Sequence, residues 1–378
     1  MIDMKKLYLQ LITSALLMLT AIASPFTQAE VSNKKVLMVL SSYGEKQGEE
    51  KPGFEFDEFS KAYLIFKQNN IQVDIASPKG GKPEADKFDA TKPYNAKVLA
   101  DKAIMNKLSN TLTTSTVKAS HYAAVFIVGG KGAMFDLPKD KALSTLIASV
   151  YQQQGTIAAV CHGPAALVNV KLDDGSYLVA NKAVNSFTNQ EEQLFGKKWL
   201  NQFDFLLEDK LIERGGKFQS SDIMLSHVAV DERLITGQNP TSTHNIAIEL
   251  VKMLGLTPVS NDLDIEDRTM ALVAEFLKGD KNALNSLTTN ENQYHVSLVG
   301  MYGFYYLKTA KTTDQFESAL ALMSAAKETI NNPALDMKIA STQYKLGKNQ
   351  AAKATLEQIL QANPEHKGAL EMKKSFSL

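Results

Sequence analysis

The residues best placed to do chemistry lie in 155–167, GTIAAVCHGPAAL, which holds Cys161, the one cysteine of the 378-residue chain. An apolar run, Ile157 to Val160, enters Cys161-His162-Gly163-Pro164 and is followed by Ala-Ala-Leu. A short apolar run behind a glycine reads as a buried strand, and a proline suits the first turn of a helix. Cys161 is therefore predicted at a tight strand-to-helix turn, the geometry of a nucleophile elbow. A helix N-terminus favours a thiolate, so the sulfur is expected to be more acidic than a free thiol. The N–H groups of His162 and Gly163 would point toward an oxyanion formed beside it. The competing reading is a buried, inert cysteine; a lone cysteine set at the turn itself favours the functional one.

The elements that must position this turn follow from periodicity. Stretches 34–42 (KKVLMVLSS), 72–77 (QVDIAS), 123–128 (AAVFIV) and 156–160 read as short strands. Helical spacing runs over 54–69, where Phe59, Ala62, Tyr63 and Phe66 share a face, and over 139–152. Such alternation builds βαβ units and a mostly parallel sheet, with the ligand crevice beyond the carboxyl ends of the strands. Loops 43–53, 129–132 and 161–163 all fall at that end. Further on come 178–181 and 182–187, then a polar stretch with Asn189, Glu191 and Glu192, and a helix over 205–214 capped by Gly215-Gly216. A hairpin is predicted from 228–230 and 234–236, and a helix over 243–254.

After Val259 strand signals stop, and 265–378 is helical throughout. Within it, 333–364 carries the small, turn and apolar positions of one tetratricopeptide repeat: Ala340, Leu346-Gly347, Ala352, Leu356, Ile359 and Pro364. Stretches 294–310 and 313–330 fit a degenerate partner repeat, with a plain helical bundle as the alternative.

A hydrophobic fraction of 44% and a charged fraction of 22% describe a globular chain long enough for two domains and a sizeable core. Lys and Arg total 41, as do Asp and Glu, so the charge gives no support to nucleic acid or an anionic membrane as partner. Lys5-Lys6, an apolar run to Ala23, and small residues before Ala23 and Ala29 read as an export signal cleaved after Ala29. An uncleaved anchor is the alternative, and a periplasmic location is the expectation. The expected division is a signal over 1–29, an α/β domain over 30–258 and a helical domain over 259–378. His121, His227, His244, His295 and His366 are scattered without metal-ligand spacing, and no phosphate-binding P-loop occurs. No cofactor or metal is expected.

Together with VDIASPKGGKPEAD, IVGGKGAMFDLP, FTNQEE, FDFLLEDKL and RLITGQNPTS, the elbow makes about 34–256 similar to the ThiJ/PfpI superfamily. The resemblance is to its chaperone, deglycase and glyoxalase III branch, which shares a flavodoxin-like fold with class I glutamine amidotransferases. It implies a doubly wound, mostly parallel sheet, with the helical region as an extension. It also implies Cys161 as nucleophile, His162 as its partner, Glu58 in GFEFDEFSKAY as the acid beside the sulfur, and Gly129 and Gly130 as an oxyanion loop. A carboxyl beside a thiolate is kept partly protonated by repulsion and burial, and can shuttle a proton. Asn189 stands where some relatives have an aspartate, which leaves Glu191 or Glu192 as the third acid. The implied activity is cofactor-free conversion of methylglyoxal to lactate, or deglycation, on a small aldehyde substrate. The alternative is a holding chaperone or redox-sensing binding protein. Amidotransfer on this fold uses a late His-x-Glu, which no histidine here provides. A homodimer is expected, with a protein partner on the helical region.

Overall fold

The computed structural model describes residues 34–259 and 262–376; the predicted signal over 1–29 lies outside the described residues. In the α/β region, β1 (Lys35–Val39), α1 (Phe56–Gln68), β2 (Gln72–Ser77), α2 (Pro93–Ala100), α3 (Lys102–Ser109) and β3 (Leu112–Thr113) come first. There follow β4 (Ala124–Ile127), α4 (Ala133–Asp136), α5 (Lys141–Gln152), β5 (Thr156–Val160), β6 (Ala183–Val184), α6 (Asn189–Phe195) and α7 (Leu207–Glu213). The last are β7 (Lys217–Phe218), β8 (Val228–Asp231), β9 (Leu234–Gly237) and α8 (Thr243–Met253).

Seven strands form one sheet in the order β3-β2-β1-β4-β5-β9-β8, parallel except for the β8–β9 hairpin. This is the doubly wound sheet expected. Its register pairs Val36 with both Val73 and Ala124, Ala124 with Thr156, and Ile157 with Leu234. Helices cover both faces, which is why β4 and β5 are buried at every position and read as unbroken apolar runs. Alternate residues divide between two layers. Val36 and Met38 join Phe59, Phe66 and Leu250 on one face, while Leu37 and Val39 join Leu143, Ile147 and Val150 on the other.

Strand order reverses at β1: β2 and β3 lie to one side, β4, β5 and β9 to the other. The carboxyl ends of β1, β4 and β5 therefore open onto a crevice at the switch point. The structure departs from expectation directly after Cys161. There the chain forms a five-residue 3₁₀ turn, Gly163–Leu167, rather than an α-helix. All five residues are buried, so no polar face exists along which an amphipathic helix could continue.

The helical region holds α9 (Ile265–Leu277), α10 (Ser286–Thr289), α11 (Val296–Tyr306), α12 (Thr313–Ala325), α13 (Lys327–Ile330), α14 (Pro333–Lys345), α15 (Asn349–Ala362) and α16 (Lys367–Ser375). Helices α11 and α12 approach closely because α11 carries Gly303: a Cβ there would sit 2.8 Å from Leu322 Cβ. Helices α14 and α15, joined through Gly347, occupy the stretch with the repeat-like pattern. The helical region packs directly on the α/β region. Ile223 and Leu225 enter one apolar cluster with Met270, Val273, Phe276 and Tyr302, and from Lys34 onward the chain is a single compact unit.

Candidate active site

Cys161 follows β5 with φ at +59°, a left-handed backbone conformation that costs a non-glycine residue about 1–3 kcal/mol and persists only where its surroundings hold it. They do so from both sides. The Cys161 N–H donates to the Gly237 carbonyl at 2.8 Å, and its carbonyl accepts from the Phe187 N–H at 2.9 Å. Adjacent side chains in an extended strand point to opposite faces. The kink at Cys161 instead brings His162 Nδ1 to 3.2 Å from Sγ.

The other ring nitrogen, His162 Nε2, lies 2.5 Å from Glu192 Oε1, and Phe187 packs against the imidazole at 4.6 Å between ring centroids. Glu192 sits in the first turn of α6, whose N-cap is Thr188 in a capping box with Glu191. Its neighbour Glu191 turns away. Glu191 Oε2 accepts from the Thr188 N–H and hydroxyl, and Oε1 from the Met224 N–H, Asn239 and Gln238. Of the two acids left open by the sequence, Glu192 alone meets His162. Asn189 lies one turn earlier and bonds to Glu208 and Asp209 instead.

Glu58 occupies the first turn of α1 and is fully buried. Its Oε2 accepts from the Gly129 N–H at 2.6 Å, while Oε1 has no hydrogen-bond partner among the described residues. Only glycine fits at 129, since a Cβ would lie 2.7 Å from Glu58 Oε2 and 2.8 Å from Cys161 Cβ. Of the expected oxyanion loop, the Gly129 N–H is thus engaged by the acid. Gly130, with φ at +89°, makes the turn behind it, and Gly163 packs on the Ile127 carbonyl.

The expected acidity of the thiol is also corrected. Burial, and then the Glu58 carboxylate, push the Cys161 thiol well above its usual range, with Lys131 opposing. The short 3₁₀ turn offers little dipole to counter them. Glu58 is itself raised well above the carboxylate range, by burial and then by Glu55, while the Gly129 N–H and Cys161 pull it down. Two such groups cannot both be negative in one small buried volume, so they titrate as a pair.

Sequence reasoning missed three charged neighbours. Half-buried Glu55 is pushed up to about 7 by burial, then by Asp57 and Asp86. Asp86 is raised by burial and accepts from the Gly53 N–H at 2.7 Å, and Lys131 lowers Glu55, Asp86 and the thiol alike. Spacing held a signal for Glu55, three residues before Glu58 and so one helical turn away. The aromatic wall was also missed. Phe203 lies 5.4 Å from Phe135, which stacks on Tyr43 at 4.4 Å. Lys198 bonds the carbonyls of Gly48 and Glu49, tying this wall to the loop after β1. Cys161 is left 3% exposed. Among the described residues no three His, Cys, Asp or Glu side chains converge as metal ligands.

A model of the DJ-1/PfpI family matches residues 50–253, more than half the chain, with Glu58, Cys161, His162 and Glu192 all inside the match. The chain belongs to the DJ-1/PfpI family. Within the family it is 30% identical to a glutathione-independent glyoxalase of Schizosaccharomyces pombe, over 58% of this chain and 98% of that one. It is likewise 30% identical to a glutathione-independent glyoxalase of Saccharomyces cerevisiae, over 58% and 98%. Among solved structures, it is similar to the Rapid Encystment Protein 24 KDa of Francisella tularensis, at 34% identity and a TM-score of 0.55. That match covers 58% of this chain and 99% of the other. The DJ-1/PfpI match ends with the last residue of α8, so α9 to α16 lie beyond it.

Proposed function

We propose that the protein is a cofactor-free, cysteine-dependent enzyme that converts small 2-oxoaldehydes such as methylglyoxal to 2-hydroxy acids such as lactate. The observation that carries this reading is the Cys161 sulfur beside both the buried Glu58 carboxyl and an imidazole braced by Glu192. The names of the similar glyoxalases support it.

The thiolate of Cys161 adds to the aldehyde carbon, and the resulting alkoxide takes a proton to give a hemithioacetal. A base then removes the C1 hydrogen as a proton while the C2 carbonyl oxygen is protonated, giving an enediol. Proton return to C2 turns C1 into a thioester carbonyl, and water releases the hydroxy acid and the free thiol. The oxidation of C1 is balanced by reduction of C2, so no external oxidant enters. Glu58, with one oxygen pinned by the Gly129 N–H, suits the proton shuttle, and His162 with Glu192 suits activation of the thiol and of water. With Gly129 engaged, the elbow amides of His162 and Gly163 are the proposed oxyanion donors. Deglycation of amines uses the same addition on a larger acceptor, and a sulfur 3% exposed favours the small aldehyde. The test is lactate formation from methylglyoxal without glutathione. Wild type should turn over and Cys161→Ala should not; activity retained by Cys161→Ala overturns the reading.

Export to the periplasm is included in the proposal, supported by Lys5-Lys6, the apolar run and the small residues before Ala29. A homodimer and a protein partner on the helical region also belong to it, supported by the family resemblance and the paired helices.

A further inference from the structure

Between α1 and the helical region lies a cavity of about 290 Å³, at the lower end of the size of small-ligand pockets. None of Cys161, His162, Glu58 or Glu192 lines it. Its walls are apolar and aromatic, with Phe195, Met270, Met301 and Tyr305 among them. Its polar end is acidic. Lys61 Nζ lies 2.8 Å from both Asp264 Oδ2 and Asp267 Oδ1, and Lys92 Nζ lies 2.8 Å from Asp57 Oδ2 and 3.0 Å from Glu266 Oε2. Two ammonium groups thus meet four carboxyl groups, of which Asp267 is pushed up to about 7 by burial with Lys61 opposing, and each ammonium already has two partners.

A second observation points to a ligand. Asp267, a lining residue only 6% exposed, has no hydrogen-bond partner at Oδ2 among the described residues, and neither does the hydroxyl of lining Tyr302, 5% exposed. Unpaired buried polar atoms are costly and are answered by a donor entering the site. An anion would face Asp57, Glu266 and Asp267 with both lysines occupied. A wholly apolar ligand would leave Asp267 Oδ2 unanswered.

We propose that this cavity binds a small amphipathic amine, its ammonium group at Asp267 and Glu266 and a single ring or short alkyl tail against the Met and Tyr walls. The site is independent of the carbonyl chemistry at Cys161.

The test is a calorimetric titration of the full chain with 2-phenylethylamine, with 2-phenylethanol and 3-phenylpropanoate as neutral and anionic ligands of similar size. One charge-assisted contact should make the amine bind at least about tenfold tighter than either. Met301→Trp, at a wall position 51% exposed, should fill the cavity and weaken amine binding by about tenfold or more. Asp267→Asn should weaken the amine and spare the alcohol. Cys161→Ala should leave amine binding unchanged, which separates this site from the proposed reaction. Equal binding of amine and alcohol, no saturable binding at millimolar amine, or full binding by Met301→Trp overturns the proposal. Should Asp267→Asn fail to fold, the ligand series and Met301→Trp decide it.

Discussion

At Cys161 the thiol and the Glu58 carboxyl both ionise reluctantly: Glu58 raises the thiol, and burial raises both. Glu58→Gln keeps a hydrogen-bond donor but carries no transferable proton. Lactate formation should fall by about 10²–10⁴-fold, while alkylation of the thiol persists and shifts to lower pH, because the carboxylate that opposed the thiolate is gone. Turnover like wild type would move the shuttle to His162 and Glu192. The two neighbouring glutamates should separate cleanly. Glu192→Gln should lower kcat with little change in melting temperature. Glu191→Gln places an amide against several N–H donors and should cost stability of about 1–3 kcal/mol. Glu55 makes a prediction about pH. Its carboxyl ionises near 4.5 when unfolded and at about 7 when folded. Between those values the folded state binds more protons, so stability falls as pH rises, by up to roughly 3 kcal/mol. Melting curves from pH 4 to 8 should flatten in Glu55→Gln; parallel curves for the two proteins would exclude this role.

Two helices carry the site's acids, and the helical region braces each of them a single turn beyond its acid. In α1, Lys61 follows Glu58 by three residues and reaches Asp264 and Asp267. In α6, Phe195 follows Glu192 by three residues and packs on Tyr305 at 4.8 Å between ring centroids. Residues three apart share a helix face, so the layer that covers the outer turn also fixes the direction of the acid. Lys61→Met leaves two carboxylates uncompensated, one of them buried, and should cost about 3–5 kcal/mol. The melting temperature of Lys61→Met with Asp267→Leu should recover much of that loss. A double variant no better than Lys61→Met would mean that packing, not charge, holds this junction.

For the whole molecule, the shared cluster around Ile223, Leu225 and Phe276 decides what truncation does. A chain ending at residue 262 uncovers Ile223, Leu225 and Phe195 together and leaves Lys61 without Asp264 and Asp267. It should melt lower than the full chain and bind an apolar-surface dye. Equal stability and equal lactate formation would make the helical region the free-standing module that its composition suggests. The export proposal is checked by N-terminal sequencing of the mature protein, which should begin near Glu30; full-length chain recovered from the cytosol would overturn it.

Strands β1, β4 and β5 were legible in the sequence because helices cover both faces, so burial is written into composition as continuous apolar runs. The elbow was legible because glycine and proline punctuate it around a lone cysteine. The choice between Glu191 and Glu192 was not: consecutive helical positions point about 100° apart, and only the docking of α6 against the elbow selects one. Thiol acidity was not legible either. A local dipole is all that the residues around Cys161 suggest, whereas burial and Glu58, on a helix far away in the chain, decide it. The Gly129 N–H was assigned by the same approach of α1 to β4. The acidic cavity lay furthest from view, since its polar end joins Asp57 to Asp267 and its wall includes Tyr305. Local pattern determined the elements and the nucleophile; contacts between distant segments, which no spacing along the chain records, decided the partners, the charge balance and the second pocket.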